Sequence, residues 1–261
     1  MKYNKIHFIH ANGFPSDSYK PLFSNIEQFN VNHFFINKNI NNDNNLKNWI
    51  PIHDYFIKSI KNDNNIIGIG HSIGGNIMLR AALSHPDKFS KIILLDPTLF
   101  IPRIIYGWIF ISKLGLAEKI HPWLNTTLNK KMIYDNDNDI FKSYRKKKVF
   151  SKINDKNLKI YIKSITKKID DKIHITYSKN WEYQIYKTGL NADMYIWKNI
   201  KNLKIPCLII KAAESNAFLN SSKKKICKIN PEIKFETINN STHLFPLEFP
   251  QETAEIINNF I

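Results

Sequence analysis

The chain has 261 residues, 43% of them hydrophobic, and a formal charge of +16. It is long enough to bury a sizeable core and too apolar to stay disordered, and it lacks the run of about eighteen apolar residues that a membrane-spanning helix needs. The basic excess does not mark a nucleic-acid binder: of 38 basic residues only Arg80, Arg103 and Arg145 are arginine, and guanidinium is the preferred fork for bases and phosphates. Lysine, asparagine and isoleucine, all abundant here, have A/T-rich codons. Base composition therefore accounts for much of the charge, and a lysine-coated surface without a nucleic-acid partner is expected.

Met1 to Lys5 carry no apolar leader, which predicts a cytoplasmic location. Strand-like runs follow at Ile6 to His10, Val31 to Ile36, Asn65 to Ile69, Lys91 to Leu95, Pro206 to Ile210 and Ile233 to Ile238. Helical spacing appears over Leu46 to Ile60, Ile73 to Leu83 and Pro250 to Ile261. Such alternation predicts an α/β fold: a mostly parallel sheet with helices on both faces. From Phe100 to Asn199 the alternation stops and aromatic residues crowd, with helical spacing over Ile104 to Leu116 and Asp139 to Phe150. A mainly helical insertion, residues 100–199, is expected between core segments 1–99 and 200–261. The Asn/Asp/Lys clusters at Asn37 to Asn45, Lys61 to Asn65 and Tyr134 to Asp139 read as solvated loops. Neither Cys207 nor Cys227 has metal-ligand spacing; Cys207 lies in a strand pattern, so free thiols and no disulfide are expected.

Gly70-His71-Ser72-Ile73-Gly74 fits Gly-x-Ser-x-Gly, a short motif whose meaning depends on context. It must follow a strand and open a helix, and here it does. Glycines at 70 and 74 remove the Cβ atoms that would clash in so tight a turn, and the turn lifts Ser72 to the carboxyl edge of the sheet. A base should come late. His243 follows the last strand directly, at the same edge, where a neutral imidazole can take the serine proton and return it to a leaving group. His10, His71 and His121 are weaker candidates. An oxyanion hole needs two backbone N–H groups, one from Ile73 after the nucleophile and one from the loop after the first strand. That loop reads His10-Ala11-Asn12-Gly13-Phe14-Pro15, and the N–H of Phe14 is the candidate. The acid has two positions open to it: Asp96, where the strand after the nucleophile ends, or Glu214, the sole carboxylate after Pro206 to Ile210.

These residues resemble the α/β-hydrolase superfamily over nearly the whole chain. His10 to Pro15, Gly68 to Gly75, Leu95 to Pro97, and Ser241 to Pro246 with Glu248 look like a bacterial branch of capped serine hydrolases. The resemblance implies Ser72 as nucleophile and His243 as base. It matches Asp96 to the acid of relatives similar to haloalkane dehalogenases, whose nucleophile is an aspartate; serine here disfavours dehalogenation. Three departures stand out. Asn12 stands where the usual His-Gly-x-Pro start has its histidine, Ser215 or Asn216 occupies the position that often holds the acid, and the chain begins at the strand that usually comes third. The expected function is cleavage of a carboxylic ester or related acyl compound, partly apolar, through an acyl-enzyme and with no cofactor or metal. Lactone, thioester or carbon–carbon bond hydrolysis, acyl transfer, or a non-catalytic receptor on the same fold are the alternatives.

Overall fold

The structure is a computed structural model and describes residues 5–26, 30–36, 46–189 and 193–261. Six strands form the main sheet: β1 (Ile6–Ile9), β2 (Val31–Phe34), β3 (Ile66–His71), β4 (Phe89–Leu95), β8 (Cys207–Glu214) and β9 (Lys234–Thr242). Their order is β2-β1-β3-β4-β8-β9, and every pairing is parallel. The inner strands are apolar on both faces, as burial between two helical layers requires. In β4 the alternation assigns Ile92 and Leu94 to one core and Ile93 and Leu95 to the other, because successive side chains leave opposite faces of a strand.

The first core layer is formed by α2 (Ile50–Ser59), α3 (Ile73–Ser84), α4 (Pro102–Lys113), α10 (Met194–Asn199) and α11 (Asn220–Ile229). Phe56, Ile77, Ile105, Trp197 and Ile226 are its buried anchors. The second layer holds α1 (Lys20–Phe23), α7 (Asp137–Arg145), α8 (Asp155–Ile165), α12 (Phe245–Glu248) and α13 (Pro250–Phe260). Three further helices complete the described set: α5 (Ala117–Ile120), α6 (Leu124–Leu128) and α9 (Lys179–Thr188). The helix expected over Leu46 to Ile60 starts only at Ile50, with Pro51 in its first turn, where a missing N–H does no harm. The loop expected at Asn37 to Asn45 lies outside the described residues.

Everything between β4 and β8 is an insertion into neighbouring strands, since those two pair directly. It is not wholly helical. Strands β5 (Ile133–Tyr134), β6 (Thr166–Ile169) and β7 (Lys172–Ile175) form a small antiparallel sheet in the order β5-β7-β6. Ile169 pairs with Lys172, so β6 and β7 are joined by the two-residue turn Asp170-Asp171. Both aspartates have positive φ, 45° and 61°, the pattern of a type I′ hairpin turn. The expected loop from Tyr134 to Asp139 is correspondingly short: β5 ends at Tyr134 and α7 begins at Asp137. Cys207 is buried and Cys227 exposed, both free.

Candidate active site

Parallel register sets the site. His71 pairs with Leu95 and Leu95 with Ile210, so Ser72 and Asp96 each stand one residue beyond a paired position on adjacent strands. The first-strand loop follows Ile9, which pairs with Gly70. His243 follows the end of β9. All of them meet at the carboxyl edge of one sheet, the ligand-binding edge of open α/β folds.

Ser72 has φ 58° and ψ −119°, a region that costs a non-glycine residue roughly 1–3 kcal/mol. Three backbone hydrogen bonds hold it there: its N–H donates to the Leu95 carbonyl (3.0 Å), and its own carbonyl accepts from Thr98 (3.0 Å) and Asn76 (3.2 Å). The flanking glycines are obligatory. A Cβ on Gly70 would lie 2.3 Å from the Gly74 carbonyl oxygen, and one on Gly74 would lie 2.0 Å from that of Ile9.

The Ser72 hydroxyl reaches His243 Nε2 at 2.9 Å. His243 Nδ1 reaches Asp96 Oδ2 at 2.7 Å. A carboxylate only accepts, so Nδ1–H donates to Asp96 and Nε2 is left to accept from the serine. Asp96 is fully buried, while the His243 side chain is 22% exposed. Two more donors serve the Asp96 carboxylate: Ser215 Oγ on Oδ2 (2.6 Å) and the Ala212 N–H on Oδ1 (3.1 Å). Ala212 was not singled out by the sequence, whereas Ser215 was one of two residues, with Asn216, expected at the customary acid position; here its hydroxyl supports the acid instead. Glu214, by contrast, is exposed and paired with Lys152 Nζ at 2.8 Å, and no hydrogen bond joins it to His243.

Phe14, the donor expected from the first-strand loop, lies in that loop's turn. Its N–H donates to the Ala11 carbonyl at 3.1 Å, because Gly13 (φ 77°) closes a tight turn over residues 11–14. That amide is therefore engaged within the loop. The Phe14 ring instead stacks on Tyr161, centroids 4.7 Å apart.

His71, next to the serine, does not contact its hydroxyl. Its Nε2 donates to the His243 carbonyl (2.9 Å) and its Nδ1 accepts from the Tyr19 hydroxyl (2.6 Å), which in turn accepts from the Ala11 N–H (3.2 Å). The order of donors fixes His71 as the neutral Nε2–H tautomer, and burial pushes its pKa well below the ordinary value. This chain ties the first-strand loop to the histidine loop. Glu248 fixes the other end of the histidine loop by accepting from the N–H (2.8 Å) and the hydroxyl of Thr242. Behind the serine, Thr98 Oγ1 lies 3.2 Å from Ser72 Oγ, and Asn76 bonds both the Thr98 carbonyl and Asp193 Oδ1 at 2.7 Å. His10 is buried with its pKa lowered to about 4 by desolvation, and it bonds the loop backbone at Ala11 and Ile36. His121 sits in the insertion against Trp108 and Tyr186. Among the described residues, no group of three His, Cys, Asp or Glu side chains is placed to hold a metal ion.

A strained serine between a parallel strand and a helix, hydrogen-bonded through histidine to a buried carboxylate, can in chemical terms generate an alkoxide nucleophile without a metal. A family model described as serine aminopeptidase, S33, matches residues 52–248, which is most of the chain and spans the serine, the aspartate and the histidine. The chain belongs to this family of α/β-hydrolases. Its relatives are distant. The Bacillus subtilis (strain 168) protein described as uncharacterized hydrolase YugF is 24% identical over 204 residues, 74% of this chain and 64% of that protein; the chain thus spans less than two thirds of that relative. Among solved structures, E-2-(acetamidomethylene)succinate hydrolase superposes with a TM-score of 0.75 at 15% identity, covering 98% of this chain and 91% of that one. A putative hydrolase from Rickettsia typhi gives 0.73 at 16% identity, with 98% and 86% covered. The thioesterase domain from the curacin biosynthetic pathway gives 0.71 at 11% identity, with 99% and 92% covered. At such identities the likeness is one of fold.

Proposed function

We propose that this hydrolase cleaves a carboxylic ester, or a related acyl compound, through a covalent acyl-enzyme. The observation that carries the reading is the unbroken row Asp96–His243–Ser72, with hydrogen bonds of 2.7 and 2.9 Å. Ser72 Oγ attacks the acyl carbon as its proton passes to His243 Nε2. The imidazolium then protonates the departing alkoxide. Water attacks the acyl-enzyme, gives its proton to Nε2, and Ser72 leaves with that proton. Asp96 stays ionised throughout and holds Nδ1–H, which keeps Nε2 free to accept. Engagement of Glu214 with Lys152 favours Asp96 as the acid. The N–H of Ile73, joined by a backbone N–H of the first-strand loop, holds the oxyanion. Side chains and water supply every proton and electron pair, so the scheme calls on no cofactor or metal.

The insertion acts as the cap of this site. In support, Tyr161 and Tyr177 donate to Gly13 and Asn12 of the first-strand loop (3.3 and 3.2 Å), and Asn12 donates to the Glu182 carbonyl (3.0 Å). Several of its aromatic residues are packing: Tyr144, Phe150 and Tyr161 form one buried stack beside Phe14. Thioesters, lactones and the amides named in the family's description would use the same groups. The test is a panel of p-nitrophenyl esters of increasing chain length, run beside acyl thioesters and aminoacyl p-nitroanilides, with Ser72→Ala as the control. Ester turnover lost in the variant is expected. Turnover of none of the three classes would overturn the reading, and anilides cleaved faster than esters would move the substrate to peptides.

A further inference from the structure

The strongest surface anomaly lies on the insertion. Six large hydrophobic side chains stand exposed within one short stretch: Tyr106, Phe110, Leu114, Leu116, Ile120 and Trp123. On α4 the exposed positions are Arg103, Tyr106, Gly107, Phe110 and Lys113, and the exposed Leu114 follows at its C-cap, a stripe at helical spacing. Ile105 and Trp108 bury the opposite side, so the helix already has its core contact and presents a second apolar face outward. Phe110 is 63% exposed and Tyr106 59%. A Cβ on Gly107 or Gly115 would meet nothing within 4 Å. Scattered exposed hydrophobics are ordinary, but a contiguous patch marks an interaction surface.

Charge selects the partner. Between residues 100 and 134 the sole acidic residue is Glu118, and it is already paired with Lys187 and Tyr183. Arg103, Lys113, Lys119 and Lys131 are exposed around the patch. A second copy of this chain would bring like charges together on a protein of +16. We propose that the α4–α6 face docks on an anionic lipid surface, its tyrosine, phenylalanine, leucine and tryptophan side chains entering the headgroup boundary and its basic rim meeting acidic headgroups. Apolar side chains with a basic rim, and aromatic residues at the interface depth, are what such surface attachment uses. The inference is independent of the hydrolytic reading, because it needs no turnover.

The test is co-sedimentation with phosphatidylcholine vesicles, pure or carrying phosphatidylglycerol, at physiological salt. Wild type is expected to sediment with the anionic vesicles and not with the neutral ones. The variant Phe110→Ser/Leu114→Ser should bind at least roughly tenfold more weakly, with unchanged circular dichroism and melting temperature. Lipids brominated near the headgroup should quench wild-type fluorescence, and Trp123→Phe should lose the larger part of that quenching. Should the double serine variant fail to fold, Lys113→Glu/Lys119→Glu gives the same reading through the rim. Failure of wild type to sediment, or a variant that binds as well as wild type through the lysine coat elsewhere, would overturn the proposal. So would a concentration-dependent dimer that the serine variant abolishes.

Discussion

Replacing Asp96 by asparagine changes one oxygen to an NH₂ and removes the charge at almost constant volume. The carboxylate it replaces is fully buried and accepts from three donors, His243 Nδ1, Ser215 Oγ and the Ala212 N–H. Neither amide orientation satisfies them all. With the NH₂ toward Ala212, two N–H groups face each other across about the 3.1 Å of the native contact. With the NH₂ toward His243, the imidazole must accept at Nδ1 and carry its proton on Nε2, where it can no longer take the Ser72 proton. The mis-set tautomer is worth about ten-thousandfold in turnover in triads of this kind. The unmet buried donor costs about 1–3 kcal/mol of stability, or a few degrees in melting temperature for a chain of this size. The assay is kcat and kcat/KM on the best p-nitrophenyl ester, beside a thermal melt. Glu214→Gln is the control, since its side chain holds Lys152 on the surface, and it should keep turnover within about twofold. An Asp96→Asn enzyme within tenfold of wild type, or a larger loss in Glu214→Gln, would refute this assignment of the acid.

Three further predictions concern strain, positioning and charge. Ser72→Gly should melt a few degrees higher than Ser72→Ala, because glycine tolerates the φ of 58° and alanine keeps the strain of roughly 1–3 kcal/mol; equal melting temperatures would remove the strain argument. His71→Phe should lower kcat at least about tenfold with little change in KM, because the His243 carbonyl and the Tyr19 hydroxyl lose their partner, whereas a purely structural loss would lower the melting temperature and leave the kcat of the folded fraction intact. Asp193 is fully buried, one of its oxygens lacks a partner, and desolvation lifts its pKa to about 8. The folded state therefore binds this proton more tightly than the unfolded state does. The linked stability is complete below the unfolded value of 3.8 and is lost as pH rises toward 8. Asp193→Asn should thus gain on wild type steadily from pH 4 to pH 8 in chemical denaturation, and a constant difference across that range would contradict it.

Much of this was legible in the sequence, for identifiable reasons. Long apolar runs place β3 and β4, and the two glycines around Ser72 mark a tight turn once a strand precedes them and a helix follows. The strands β5 to β7 were not legible. They are two to four residues long and heavy with lysine, and their turn is Asp-Asp rather than the Asn-Gly that signals a type I′ hairpin. The engagement of the Phe14 amide with Ala11 was not legible either, because sequence alone does not say which way Gly13 turns the backbone. The supports at Ser215, Ala212, Tyr19 and Thr98 depend on contacts across 26 to 119 residues of chain, for which spacing carries no signal. Ser215 alone had a cue, since it stands where an acid is customary.

The most direct measurement is covalent. Wild-type protein treated with a fluorophosphonate should gain the mass of one phosphonyl group, peptide mapping should place it on Ser72, and Ser72→Ala should gain none. No adduct at saturating probe, or an adduct on another residue, would contradict the assignment of Ser72 as the nucleophile.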